Sequence, residues 1–172
     1  MSVNIRPCEE GDVPAIAAIY HHHVLHSPAT FELEPPGVQE MTIRRAHLLE
    51  KGFPYLVAER DGEVIGYTYA GPYRTRPAYR FTVENSVYVR PGNLRQGIGQ
   101  RLLAALLVEC ARKEFRQVIA VIGDSANQAS IRLHERLGFR LVGTLRSVGF
   151  KFDRWYDSVL MQRDLDGIEP PL

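Results

Sequence analysis

Two apolar rhythms meet near the middle of the chain. From Phe81 to Val89 the side chains alternate with a period of two, Val83, Asn85, Val87 and Val89 toward one face and Glu84, Ser86 and Tyr88 toward the other. That alternation predicts a long β-strand. From 100 to 112 the spacing becomes helical, and Leu102, Leu103, Leu106, Leu107 and Cys110 form one broad stripe suited to packing on a sheet. The same reading predicts a short strand over Val3 to Arg6 and a helix that Asp12 caps and Pro14 opens, running through Ile16, Ile19, Tyr20 and Val24. A loop with three prolines follows from Ser27 to Gly37, then a helix from Val38 to Glu50 ended by Gly52 and Pro54. Tyr55 to Glu59 and Val64 to Gly71 form a hairpin around Asp61-Gly62, and Pro72 to Pro77 interrupts the sheet. Beyond the central helix, Gln117 to Gly123 reads as a strand buried on both faces, because Val118, Ile119, Val121 and Ile122 leave little polar alternation. Asn127 to Leu137 is a helix stopped by Gly138, and Arg140 to Arg146 and Trp155 to Gln162 supply two more strands.

These elements make a mixed α/β chain, and composition narrows what it does. At 172 residues and 45% apolar content it suits one domain, set at 1–163, with a frayed tail at 164–172 that carries two prolines. The formal net charge is +1 and Lys and Arg are dispersed, so neither a nucleic-acid nor a membrane partner is expected. The polar start MSVNIRPCEEGD does not resemble a signal peptide, and no apolar run approaches spanning length, so the expected location is cytoplasmic. Cys8 and Cys110 have no paired spacing and are expected to be inert thiols. His22 and His26 share a helical face within His21-His22-His23, yet no Cys or acidic partner is near, and no metal is expected.

The junction of the two rhythms carries the first chemistry. A strand that ends in Arg90-Pro91-Gly92 and re-enters a helix through Arg95-Gln96-Gly97-Ile98-Gly99 presents unpaired backbone N–H groups at a positive helix end, which is an anion cradle. The bland alternative is a glycine-containing turn with no ligand. A dinucleotide fingerprint fails, because Leu102 stands where a third glycine is needed and no acidic residue follows at the expected distance. A P-loop fails too, for want of a Gly-Lys-Ser/Thr triplet.

The segment Asn127-Gln128-Ala129-Ser130-Ile131-Arg132-Leu133-His134-Glu135-Arg136-Leu137-Gly138-Phe139, taken with Val87 to Gly99, resembles the paired signatures of the GCN5-related N-acetyltransferases (GNAT). Three further stretches, Gly143 to Asp157, Thr82 to Val89 and Ala70-Gly71-Pro72-Tyr73-Arg74, resemble its phosphinothricin and methionine sulfoximine branch. The resemblance implies the GNAT fold, with about seven strands in a mixed, mainly antiparallel sheet splayed between strands 4 and 5 and helices on both faces. It implies a homodimer, and acetyl-coenzyme A as donor, held by Val87, Tyr88, Val89, Arg95, Gln96, Gly97, Ile98, Gly99, Gln100, Asn127 and Ser130. One position departs from the pattern: Leu94 stands where the family usually has Gln or Arg, and Arg95 is the expected substitute charge.

Acetyl transfer to an amine needs a base, because an ammonium group is not nucleophilic. The resemblance points to Glu84, whose bland alternative is a strand carboxylate paired with Arg80 or solvated. The oxyanion needs a donor, expected from a backbone N–H near Val87 to Val89. His134 stands where many relatives have Tyr, as a proton donor, a water-steering group or a structural histidine. For the acceptor, Arg74, Arg76 and Arg80, interleaved with Tyr73 and Tyr79, suit a carboxylate or phosphinate, with no more than two of the three expected to touch substrate. Phe31 and Glu32 belong to the loop that closes over the acceptor in the resembling branch, Glu84 and the two residues after it, Asn85 and Ser86, are expected to bind the acceptor, and Lys151 and Trp155 either border the site or serve dimer and core. The reading is a transferase for a small amino-acid-like amine. Its alternatives are a coenzyme A binding or sensing module with little catalysis, and transfer to a polyamine or protein N-terminus.

Overall fold

A computed structural model describes residues 2–166. In chain order it has β1 (Asn4–Pro7), α1 (Val13–His26), α2 (Val38–Glu50), β2 (Tyr55–Arg60), β3 (Glu63–Pro72), β4 (Thr82–Val89), α3 (Ile98–Arg112), β5 (Gln117–Gly123), α4 (Gln128–Arg136), β6 (Arg140–Lys151) and β7 (Arg154–Asp164). The strands form one seven-stranded sheet in the order β1-β2-β3-β4-β5-β7-β6. All neighbours are antiparallel except β4 and β5, which run parallel because α3 makes the crossover between them.

Period-two alternation sorts the core onto the two faces. Tyr55, Val57 and Tyr67 pack with Val13, Ile16, Tyr20 and Val24 under α1, while Ala70, Val83, Val118, Ala120 and Ile122 meet Leu103, Leu106, Leu107 and Cys110 of α3. Gly66 belongs to the α3 side, where a Cβ would lie only 3.0 Å from Leu102 Cδ1 and 3.1 Å from the Tyr88 carbonyl oxygen. The β2–β3 turn has φ of 54° at Asp61 and 80° at Gly62, the two left-handed residues that a tight hairpin requires.

Four expectations change. Asp12 does not cap α1; its carboxylate accepts from Arg6 Nη1 at 2.7 Å, Arg6 Nη2 at 2.8 Å and the Glu9 N–H at 2.8 Å, which ties β1 to the turn before the helix. Val121 is 40% exposed, because β5 loses its β4 neighbour before that point. The last two strands are longer than expected and form a hairpin turned by Phe152 and Asp153, both at positive φ. The tail begins later than residue 164: Asp164 is the last residue of β7 and Leu165 is buried in the core. Residues 167–172, where the rest of that expected tail falls, lie outside the described residues.

The loop between α1 and α2 folds back over the ends of β5 and β6. Its Pro28 carbonyl passes directly over Gly123 and the Phe31 ring lies on Gly149, where a Cβ would come within 2.5 Å of Phe31 Cε2. Gly123→Ala therefore forces the loop off the sheet. The expected loss is about 1–3 kcal/mol of stability, read as a lowered thermal midpoint by circular dichroism, and an unchanged midpoint refutes this packing.

Candidate active site

β4 and β5 pair only from Thr82↔Gln117 to Asn85↔Ala120 and then diverge. On the other side of β4 the ladder continues, and the bonds Arg90 N–H to Ile65 C=O at 2.9 Å and Tyr73 N–H to Thr82 C=O at 3.4 Å set its alternation. That alternation turns the N–H groups of Val87 and Val89 away from β3, toward the side where β5 has departed. His23 Nε2 donates to the Val89 carbonyl at 2.9 Å, so a side chain satisfies part of the freed edge.

A cavity of about 440 Å³ opens in the divergence. It is lined by Glu84 to Tyr88 of β4, Ala120 to Gly123 of β5, Asn127, Ser130 and His134 of α4, Phe31 of the folded-back loop, and Leu145 and Val148 of β6. The exposure of Val121 follows from this, since it lines the cavity. Along the continuation of β4, Gly97 caps α3 at φ 75°, a conformation that favours glycine, and the first internal helix bond is Arg101 N–H to Gly97 C=O. The N–H groups of Ile98, Gly99 and Gln100 are thus free to meet an anion. Arg95 also has positive φ, at 61°, and it is exposed, as is Leu94. The Gln96 side chain is taken by Arg60 Nη1 at 2.9 Å, so only its backbone serves the cradle.

Glu84 is partly buried and has no hydrogen-bonded or ion-paired partner among the described residues; the bland pairing with Arg80 does not form. Burial pushes its carboxyl above the ordinary range, and the Arg74 guanidinium opposes that shift. Of the three arginines only Arg74 is felt at Glu84. Arg80 stacks on Phe81 at 4.5 Å and donates to the Pro77 carbonyl, and Arg76 is exposed; none of the three lines the cavity. Tyr73 packs edge-on against Tyr79, outside the cavity.

Two substrate assignments shift. Glu32 is spent on structure: its carboxylate accepts from Arg44 Nη1 at 2.6 Å and from the Tyr20 hydroxyl at 2.7 Å. Burial pushes its pKa up, but Arg44 and Tyr20 outweigh that and hold it below the usual range. Asn85 sits on the α4 face of β4, opposite Glu84, and its Nδ2 donates to His134 Nε2 at 3.0 Å. His134 is 2% exposed, and its Nδ1 lies 2.7 Å from the Ser130 carbonyl oxygen. Since a carbonyl only accepts, Nδ1 carries the proton and Nε2 receives the Asn85 amide. Burial also lowers the ring's pKa, against the Ser130 bond, so His134 is neutral with no Nε2 proton facing the cavity. Asn127 caps α4, its Oδ1 accepting from the Ser130 N–H at 3.2 Å.

The sequence reading left the part played by Lys151 open. It is 3% exposed, and its Nζ donates to the carbonyls of Ser27 at 2.9 Å and Thr30 at 2.8 Å, latching the loop that carries Phe31. A lysine within the apolar alternation of β6 was the available signal. Trp155, on the outer side of the hairpin, is exposed.

Comparison with known proteins agrees with this geometry. The profile of the acetyltransferase (GNAT) domain matches residues 5–160. A phosphinothricin N-acetyltransferase of Alcaligenes faecalis is 53% identical over 162 residues, 94% of this chain and 82% of that protein. An L-methionine sulfoximine/L-methionine sulfone acetyltransferase of Salmonella typhimurium is 38% identical over 95% of both chains. The crystal structure of a phosphinothricin acetyltransferase from Sinorhizobium meliloti in complex with acetyl-coenzyme A superposes with a TM-score of 0.93 at 42% identity, over 99% of this chain and 94% of that one. The splayed sheet, the cradle and these likenesses lead to one conclusion: the chain belongs to the GNAT acetyltransferase family.

Proposed function

We propose that the chain transfers the acetyl group of acetyl-coenzyme A to the α-amino group of a small amino acid or analogue of the phosphinothricin, methionine sulfoximine or methionine sulfone type. The observation that carries this reading is the partly buried Glu84, unpartnered among the described residues, in a cavity bounded by the unpaired edge of its own strand β4. The donor's pyrophosphate fits the free N–H groups at the start of α3, and its acyl end fits the divergence of β4 and β5.

Glu84 accepts a proton from the substrate ammonium, directly or through water, and its raised pKa brings it nearer the amine it must deprotonate. The freed amine attacks the thioester carbonyl, a C–N bond forms and the C–S bond then breaks. The Val87 N–H points to where the oxyanion develops. His134, neutral and bonded at both nitrogens, holds Asn85 and the α4 wall; the second proton of the attacking nitrogen passes to the departing thiolate, which leaves as coenzyme A. Arg74, the arginine felt at Glu84, is positioned to draw an acidic group of the acceptor.

The same reading makes the chain a homodimer in the cytoplasm, where acetyl-coenzyme A is available. Its support is the edge strand β6, which exposes Leu141, Val142, Leu145, Val148 and Phe150 beside Trp155. Sedimentation at twice the chain mass is the expected result, and a monomer contradicts the assembly.

A thiol-release assay with acetyl-coenzyme A over a panel of amino acids, their sulfone, sulfoximine and phosphinate analogues, a polyamine and a peptide N-terminus tests the whole reading. Release is expected on the oxidised amino-acid analogues; coenzyme A binding with no release on any amine replaces the enzyme with a binding module. Glu84→Gln is expected to lower turnover by on the order of a hundredfold while sparing coenzyme A binding, and near-native turnover removes Glu84 from the role. The acidic limb of the kcat/KM profile should lie above the ordinary carboxylate range, activity rising as Glu84 loses its proton. Because a neighbouring cation favours the carboxylate, Arg74→Ala raises the Glu84 pKa further and moves that limb to higher pH. A limb that stays put or moves down contradicts the pairing.

A further inference from the structure

A second cavity, of about 350 Å³, lies on the α2 side of the sheet, between Met41, Arg44, His47 and Leu48 of α2 and the tyrosines of β2 and β3. Among the described residues, three line both this space and the one between β4 and β5: Tyr69, Glu84 and Ser86. They ring the throat where the two cavities meet. Tyr69 is the Cα partner of Ser86 across the β3–β4 ladder, and Glu84 lies two residues before Ser86, so all three side chains leave the same face of the sheet.

Each of the three brings oxygen to that throat, one as a carboxylate and two as hydroxyls. The Tyr69 ring stacks on Tyr55 with centroids 5.0 Å apart and on Tyr67 at 6.4 Å, which fixes its direction. Unlike Tyr67, which is 0% exposed, Tyr69 keeps part of its surface open. Its phenol senses both of the other members: burial pushes its pKa up, the Ser86 hydroxyl opposes that, and the charge of Glu84 adds to it. On the α2 wall the Arg44 guanidinium is already paired with Glu32 and Glu40, so it does not take the Glu84 carboxylate. A primary ammonium group carries three N–H donors and no acceptor, and three oxygens around one throat match it.

We propose that the throat seats the acceptor's ammonium group, with the Tyr69 and Ser86 hydroxyls each accepting one N–H and Glu84 the third, so that the enzyme takes primary amines and turns away their N-methyl counterparts. An N-methyl group replaces one donor with an apolar surface and leaves one oxygen of the throat without its hydrogen bond, a loss that a site built on polar contacts feels strongly. The inference rests on the reading that Glu84 receives the ammonium proton; it adds Tyr69 to the site and a selection made at the nitrogen itself.

The test compares kcat/KM on methionine sulfone and on its N-methyl derivative, by thiol release, for the unaltered enzyme and for Tyr69→Phe. The substitution keeps the ring that stacks on Tyr55 and Tyr67, so the thermal midpoint should hold. The unaltered enzyme is expected to prefer the primary amine by at least about tenfold. Tyr69→Phe is expected to lose roughly tenfold on the primary amine, with the N-methyl derivative and the KM for acetyl-coenzyme A each within about twofold, so the preference narrows. Equal rates on the two amines with the unaltered enzyme, or a preference that Tyr69→Phe leaves unchanged because both rates fall together or neither falls, overturn the throat while the transferase reading stands. If the unaltered enzyme acetylates neither amine, the transferase reading fails and the throat with it. Ser86→Ala gives a second reading: it too should narrow the preference, and an unchanged preference overturns the proposal.

Discussion

The early end of the β4–β5 ladder is the constraint on which the rest of the molecule depends. Parallel strands joined by a helix would ordinarily pair along their length, and here pairing stops after Asn85↔Ala120 although both strands continue. Stopping leaves unpaired N–H and C=O groups on β4, which is unfavourable unless something else meets them. The protein meets only part of that need, with His23 donating to the Val89 carbonyl. The remainder is what a thioester can use. β5 stays anchored because β7 pairs along its whole length, so the gap is a built feature of the sheet and not a frayed edge.

Around the gap, buried polar groups set the walls. The ammonium of Lys151 is held by two loop carbonyls, and although burial lowers its pKa, Glu32 opposes that shift. The chain Lys151–Thr30–Tyr20–Glu32–Arg44 links β6, the loop, α1 and α2. Gly123 and Gly149 let that loop sit directly on the sheet, with Phe31 as a wall of the cavity. On the opposite wall Asn85, His134 and Ser130 tie β4 to α4. Both walls are braced, and Glu84 between them is left without a partner.

Much of this was legible because local rules and tertiary structure agree. Val38–Glu50 and Gln117–Gly123 fall at the bounds their patterns predict, and the Asp61-Gly62 turn, the Gly97 cap and the Asn127 cap follow from the chemistry of those residues. The misreadings arise where tertiary structure supplies or removes a neighbour that the local pattern does not show. Asp12 has the right identity for a cap, but Arg6 on the adjoining strand takes its carboxylate. Glu32 looks free in a loop until α2 brings Arg44 to it. Alternation gives Asn85 the right face, but not its partner there, His134 of α4, which is 49 residues away in sequence. Val121 reads as core because nothing local reveals where two strands part.

Backbone amide exchange of the free protein and of its acetyl-coenzyme A complex tests the central claim most directly. If the divergence of β4 and β5 receives the acyl group, exchange at Val87 slows on binding together with that at Ile98, Gly99 and Gln100. Slowing confined to the start of α3, with Val87 unchanged, contradicts it: the cradle would then hold a phosphate while the unpaired strand edge served no part of the reaction.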